Sequence, residues 1–238
     1  VLQDHAPSVS DARATSLSRE GGGTLTDAAY DALRVDIIRG LRGPGERLRI
    51  ERLKALYGVG PTPLREALQR LSADGLVAAS GNRGFSVASL DAAEFIDLNI
   101  ARTALETQAL RLSITNGDDL WEAGVVSAAY RMAKADTTLM SDGGASIDAW
   151  EGMNEMFHLA MVAACGSDWL LRVRKRLHDQ CERYRRAALD RRRGARDLRA
   201  EHAAIADAVL ARDVERALDL TKSHFDATVE TLSGRAAR

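Results

Sequence analysis

Cysteine is nearly missing from this 238-residue chain: only Cys165 and Cys181 occur, sixteen positions apart. So few thiols build no disulfide framework, and their spacing matches neither a zinc knuckle nor a paired redox motif. They read as reduced thiols of a cytoplasmic protein. Proline is almost as scarce, with four residues, and that scarcity among abundant Ala, Leu and Arg favours helix. No apolar run approaches the roughly 18 to 20 residues of a membrane span. The amino terminus shows no charged start followed by an apolar core. A strong net charge is lacking too: the formal total is -1, so no global basic field announces nucleic acid. Local asymmetry survives, because ten basic residues face seven acidic ones between Leu25 and Leu90. That excess permits DNA binding without diagnosing it. Missing as well are a nucleophile–base pair, a phosphate loop and a His-Glu-x-x-His string, which argues against an enzyme. Glu151 and Glu155, one turn apart, read as surface glutamates of an amphipathic helix.

What is present divides the chain in two. Residues 1–23 are polar, carry Gly21-Gly22-Gly23 and read as a disordered arm. Residues 24–89 then carry three short helical patterns. In the first, capped by Thr24 or Thr26, Ala29, Leu33, Ile37 and Ile38 share a face. The second spans about Ile50 to Leu56, with Leu53 and Leu56 inward. The third starts at Pro61, a natural first-turn residue, and buries Leu64, Ala67, Leu68 and Leu71. Residues 76–79 and 85–88 flank Gly81-Asn82-Arg83-Gly84 as a small hairpin. Three helices and a hairpin predict a winged helix-turn-helix. Residues 90–233 hold six longer helical patterns with brief connections, an all-helical bundle. The second of these is expected to end near Ala135, and the Arg191-Arg192-Arg193 run reads as a solvated helix end. Residues 234–238 form a tail. The predicted class is mainly α: a winged helix-turn-helix followed by an all-α six-helix bundle.

The segment from Tyr30 to Val87 resembles the GntR family of bacterial regulators. The resemblance rests on Tyr30-x-x-Leu33-Arg34-x-x-Ile37, on Gly40…Pro44-Gly45-x-x-Leu48, and on the run from Tyr57 to Leu71. Asp74-Gly75-Leu76-Val77 and Arg83-Gly84-Phe85 complete it. The six helices resemble the FCD ligand-binding domain of the FadR branch, and the group regulating glutarate and gamma-aminobutyrate use. The resemblance implies a cytoplasmic homodimer that binds a double-stranded DNA operator, typically as a repressor. It places Thr62 and Arg65 on the recognition helix, where a guanidinium fork reads guanine or clamps phosphate. Arg70 is a further candidate on that helix. Arg83 and Gly84 serve the wing, and Arg49 and Arg52 clamp phosphate. Relatives mostly place Ser-Arg where this chain has Gly60-Pro61, so one usual DNA contact is missing.

The same resemblance makes Arg102 and Glu106, one turn apart, candidates for the effector pocket, joined by Tyr184. A buried guanidinium needs an anion. Either Glu106 satisfies Arg102 permanently, or a small carboxylate effector does so on arrival. Three of the five histidines complete the picture. Asn154 and His158 lie four apart on one helix face. His202 and His224 sit at similar distances before and after the Arg212-Asp213 turn, so antiparallel helices bring them level. Register and the metal-binding FCD pattern together point to a divalent metal on Asn154, His158, His202 and His224. Zn²⁺ is the first expectation, with Ni²⁺ or Mn²⁺ as alternatives. Asn154 stands where Asp is usual and brings no negative charge. Two further readings stay open: a metal-dependent helical bundle with enzymatic activity, and an architectural DNA binder without a ligand.

Overall fold

The computed structural model describes residues 23–79, 84–141, 146–191 and 196–233. The amino-terminal arm before residue 23, Arg83 and the carboxy-terminal tail lie outside these residues, and the side chains of the 191–193 arginine run are likewise undescribed. The chain forms two compact units, Val1–Ser89 and Leu90–Arg238.

The first unit contains α1 (Leu25–Ile38), α2 (Ile50–Tyr57), α3 (Pro61–Ala73), β1 (Val77–Ala79) and β2 (Phe85–Val87). Thr24 opens α1 with a reciprocal box: its side chain accepts from Asp27 N–H, and the Asp27 carboxylate accepts from Thr24 N–H. Gly58 closes α2 in the left-handed conformation, φ 66°, where a side chain would be strained. The strands pair antiparallel with Val77 opposite Val87. The preceding turn joins this wing, since Leu48 N–H donates to Phe85 O at 2.9 Å and Arg47 bridges Ser86. The core is dry: Ala29, Leu33, Leu64, Ala67, Leu68 and Leu71 are fully buried. Tyr57, which the apolar pattern passed over in favour of Leu56, is buried as well, because its hydroxyl reaches Asp36. Leu56 is only half-buried.

The second unit contains α4 (Ala92–Asn116), α5 (Asp119–Ser141), α6 (Ile147–Val162), α7 (Asp168–Arg191), α8 (Leu198–Leu210) and α9 (Val214–Ser233). Helix α5 runs six residues beyond the expected end at Ala135, because Asp136 points inward and takes the Trp150 indole N–H at 2.8 Å. Apolar residues from α4, α5, α6, α8 and α9 make its main core around Phe157, Met161 and Val209. Arg212, at φ 53°, turns α8 into α9 and donates to the Ile114 and Gly117 carbonyls, both at 2.7 Å. That clamp ties the α8–α9 turn to the end of α4. Both cysteines are free and buried, and no helix among the described residues is long and apolar enough to cross a membrane.

Candidate effector and DNA sites

Helix α6 presents Glu151, Asn154 and His158 at steps of three and four, so they fall on one inward stripe. His202 of α8 and His224 of α9 arrive at the same level because those helices reverse at Arg212. The ligand atoms of His158, His202 and His224 all lie within 4.8 Å of one another, and all three residues are buried. Each of two rings is aimed by a carboxylate that sequence reading missed. His202 Nδ1 lies 2.8 Å from Asp136, and His224 Nδ1 lies 2.8 Å from Glu201. Such partners fix the ring and leave Nε2 for a ligand. Among the described residues, His158 Nε2, His202 Nε2 and both amide atoms of Asn154 are buried without a hydrogen-bond partner. The imidazole lone pairs and the Asn154 amide oxygen fit a divalent ion, whereas the Asn154 amide nitrogen is a donor that an ion cannot satisfy.

Burial keeps the His158 and His224 rings neutral, as a metal ligand must be. It pushes His158 well below the usual imidazole range, aided by His224, Arg102, His202 and Arg174. Burial likewise takes His224 down to about 3 against the opposing pull of Glu201. Glu201 itself falls to about 2, because hydrogen bonds from His224 and Arg196 outweigh its burial.

Beside the histidines lies a buried cluster of cations. Arg102 stacks 3.7 Å over the Phe225 ring, and its Nε has no partner among the described residues. Glu106, one of the two partners considered for Arg102, faces Arg174 at 2.9 Å and His158 at 4.0 Å. The buried face of α4 mixes Phe95, Ala109, Leu110 and Ile114 with Asn99, Arg102, Glu106 and Ser113, while Leu98, Leu105 and Leu112 are half-buried. Glu151 is not a surface residue. It is 2% exposed and takes a two-pronged contact from Arg185, with Nη2 at 2.8 Å. Arg174, His178, Cys181 and Arg185 form one stripe along α7, a polar periodicity visible in the sequence but hidden from a search for apolar faces. Tyr184 stands apart, its ring stacked on Phe95 at 4.4 Å and its hydroxyl donated to Glu94.

In the first unit, the exposed side of α3 carries Thr62, Arg65 and Gln69 at steps of three and four. Arg70 belongs to a different side: it is paired with Asp27 at 2.7 Å and lies over Tyr30 of α1. Arg49 and Arg52 are exposed at the start of α2. Gly84 is exposed at φ 92°, a conformation that only glycine enters freely. The amino end of α3 is unusual, with Pro61 and Pro63 removing two amide donors and no side chain capping at Gly60.

Residues 25–87 match the family described as bacterial regulatory proteins, gntR family, and residues 97–227 match the FCD domain. The chain is a GntR-family transcriptional regulator with an FCD-like ligand-binding domain. The family is one of ligand-responsive DNA-binding regulators, not enzymes, which sets aside the enzymatic and ligand-independent alternatives. The chain is 40% identical to the uncharacterized regulator BphR of Paraburkholderia xenovorans (strain LB400), covering 88% of this chain and 85% of that one. It is 39% identical to the repressor GlaR of Escherichia coli (strain K12), covering 82% and 90%. In fold it resembles E. coli McbR/YncC, with TM-score 0.73 and 20% identity over 90% of this chain and 100% of the other. A putative GntR regulator from Rhodococcus sp. RHA1 superposes with TM-score 0.72 at 25% identity, over 90% of this chain and 99% of the other.

Proposed function

We propose that this regulator is a homodimeric repressor whose FCD domain holds a divalent metal and releases operator DNA when a small carboxylate binds. The observation that carries the reading is the set of buried, unpartnered nitrogens around His158, His202 and His224, with Arg102 and Arg174 next to them. Those three imidazoles and the Asn154 amide oxygen would hold the ion. When bound, it supplies a fixed positive charge for one oxygen of the effector. Asp136 and Glu201 aim His202 and His224, and Arg102 offers its free Nε to the same anion. Zn²⁺ suits a nitrogen-rich set, with Ni²⁺ and Mn²⁺ next. The relative GlaR, named a repressor, supports the direction of control.

On the DNA side, Thr62 and Arg65 read the major groove, with Gly84 letting the wing approach the backbone closely. Two copies reading a near-palindrome supply the specificity that one module lacks. A gel-shift titration on operator and scrambled duplexes, with and without four- to six-carbon acids, tests both halves. A carboxylate should weaken operator binding by the wild-type protein and not by Arg102→Ala. Arg65→Ala should lose about 1–3 kcal/mol of discrimination between the duplexes. Carboxylates without effect on DNA binding sink the effector reading, and unchanged affinity of Arg65→Ala on both duplexes sinks the recognition reading.

A further inference from the structure

Three exposed polar side chains of α3, Thr62, Arg65 and Gln69, belong to one narrow sector of the helix. At 3.6 residues per turn, Gln69 lies about 20° from Thr62 and about 40° from Arg65, so it falls between them when the helix is viewed end-on. The buried stripe of Leu64, Ala67, Leu68 and Leu71 occupies the opposite side. The flank next to Thr62 is already committed. Glu66 accepts from the Thr26 hydroxyl at 2.9 Å, and Arg70 pairs with Asp27 at 2.7 Å while lying over the Tyr30 ring. Those ties hold α3 to α1 on that side. They leave Thr62, Arg65 and Gln69 without a side-chain hydrogen bond or ion pair among the described residues.

Gln69 offers a chemistry that neither companion has. Its amide sets an acceptor oxygen and a two-hydrogen donor nitrogen side by side in one plane. In the major groove adenine shows the complementary pair, N6–H₂ as donor and N7 as acceptor, whereas guanine offers two acceptors and cytosine a lone donor. An uncharged amide also displaces no condensed ions, so it gains little from phosphate and much from a matching base edge. The tip of the helix cannot supply that contact. Gly60, Pro61 and Pro63 have no side chain that hydrogen-bonds a base, so beyond Thr62 the reading groups come from the body of α3.

We infer that Gln69 is a specificity residue that selects an adenine, with the body of α3 lying along the major groove. This rests on the proposed recognition face of Thr62 and Arg65. Geometry sets the position of the base. Arg65 and Gln69 are one turn apart, about 6 Å along the helix axis, and stacked base pairs are spaced by about 3.4 Å. The adenine therefore lies about two base pairs from the base that Arg65 reads.

Selection of bound duplexes from a random-sequence library by the full chain, followed by sequencing, tests the assignment. The wild-type protein should prefer adenine over each other base at one position by about tenfold, the worth of a bidentate amide contact. Gln69→Ala should lose that preference while keeping the one set by Arg65, and Arg65→Ala should do the reverse. Gln69→Glu keeps the shape but only accepts, so it should move the preference from adenine to cytosine, a change that no structural role produces. Gel-shift titrations over a range of salt should give Gln69→Ala the wild-type slope of log affinity against log salt, because no phosphate contact is lost. A shallower slope makes Gln69 a backbone contact and overturns the inference. The same selected sequence from the wild-type, Gln69→Ala and Gln69→Glu proteins overturns it too, while leaving Arg65 as a reader. If the wild-type protein selects no sequence at all, the recognition face itself falls and Gln69 with it.

Discussion

The two units of this chain are built on opposite principles. In the DNA-binding unit, Arg42 is the single buried charged or polar residue described, and it is satisfied in part by Glu46. The helical unit buries sixteen such residues among those described, many around the histidine triad and the α7 stripe. A dry core gains most of its stability from apolar burial and close packing, so it holds one shape and presents α3 rigidly. A core with orphaned donors gives up stability until acceptors meet them. On the function proposed above, the first unit reads DNA and the second is completed by its ligand.

The strongest way to break this contrast is to cut into the apolar core. Leu68→Ala, at a fully buried position, should destabilise the DNA-binding unit by about 2–5 kcal/mol in denaturant unfolding. A loss below 1 kcal/mol would show that core to be loosely packed. The next effect belongs to the metal. Zn²⁺ at about one hundred times its dissociation constant should add roughly 2.7 kcal/mol of stability to the wild-type protein. His202→Ala should show no such gain, and its metal content by elemental analysis should fall from about one ion per chain toward zero. Equal metal content in both proteins would remove the triad from consideration.

A smaller effect of opposite sign sharpens the comparison. Arg102→Met replaces a buried guanidinium that burial pushes below its ordinary pKa with an apolar chain of similar reach. The ligand-free protein should gain roughly 1 kcal/mol in stability while losing its response to carboxylates. A loss of stability instead would mean that Arg102 serves packing over Phe225 more than binding.

The smallest effect sits on the surface of the first unit. The hydrogen bond from Arg70, with those from Thr24, holds the Asp27 carboxyl down at about 2. A carboxyl depressed in the folded state stabilises above its unfolded value near 3.9, and loses that contribution as pH falls toward 2. In Arg70→Ala, carboxyl NMR should find Asp27 titrating closer to its ordinary value, with DNA binding little changed.

Much of the fold was legible in the sequence, because the first unit obeys apolar periodicity. Leu64, Ala67, Leu68 and Leu71 are spaced as a buried stripe and are buried. In the helical unit the same rule was incomplete. The inward face of α4 sets Asn99, Arg102, Glu106 and Ser113 beside Phe95, Ala109, Leu110 and Ile114, while Leu98, Leu105 and Leu112 stand at its margins. Helical register brought His202 and His224 level across a tight turn, since a helix fixes rise per residue. The partners of those rings, Asp136 and Glu201, were not legible. Asp136 comes from another helix, and Glu201 is a first-turn acid that looks like ordinary dipole compensation. Which carboxylate meets which guanidinium depends on how helices pack, so Glu106 went to Arg174 and Glu151 to Arg185.

The amino end of α3 has a consequence for how salt governs this regulator. A helix start normally offers several free amides that grip a phosphate without any counterion-dependent side chain. Here Pro61 and Pro63 have none to give, and the Leu64 amide is engaged by Gly60 O at 3.3 Å, leaving those of Gly60 and Thr62. On the proposed DNA-binding face, grip on the backbone would then pass to arginines, whose contacts displace condensed ions, so each one would steepen the fall of affinity with ionic strength. Operator occupancy in this chain should follow the ionic strength around it as well as the effector.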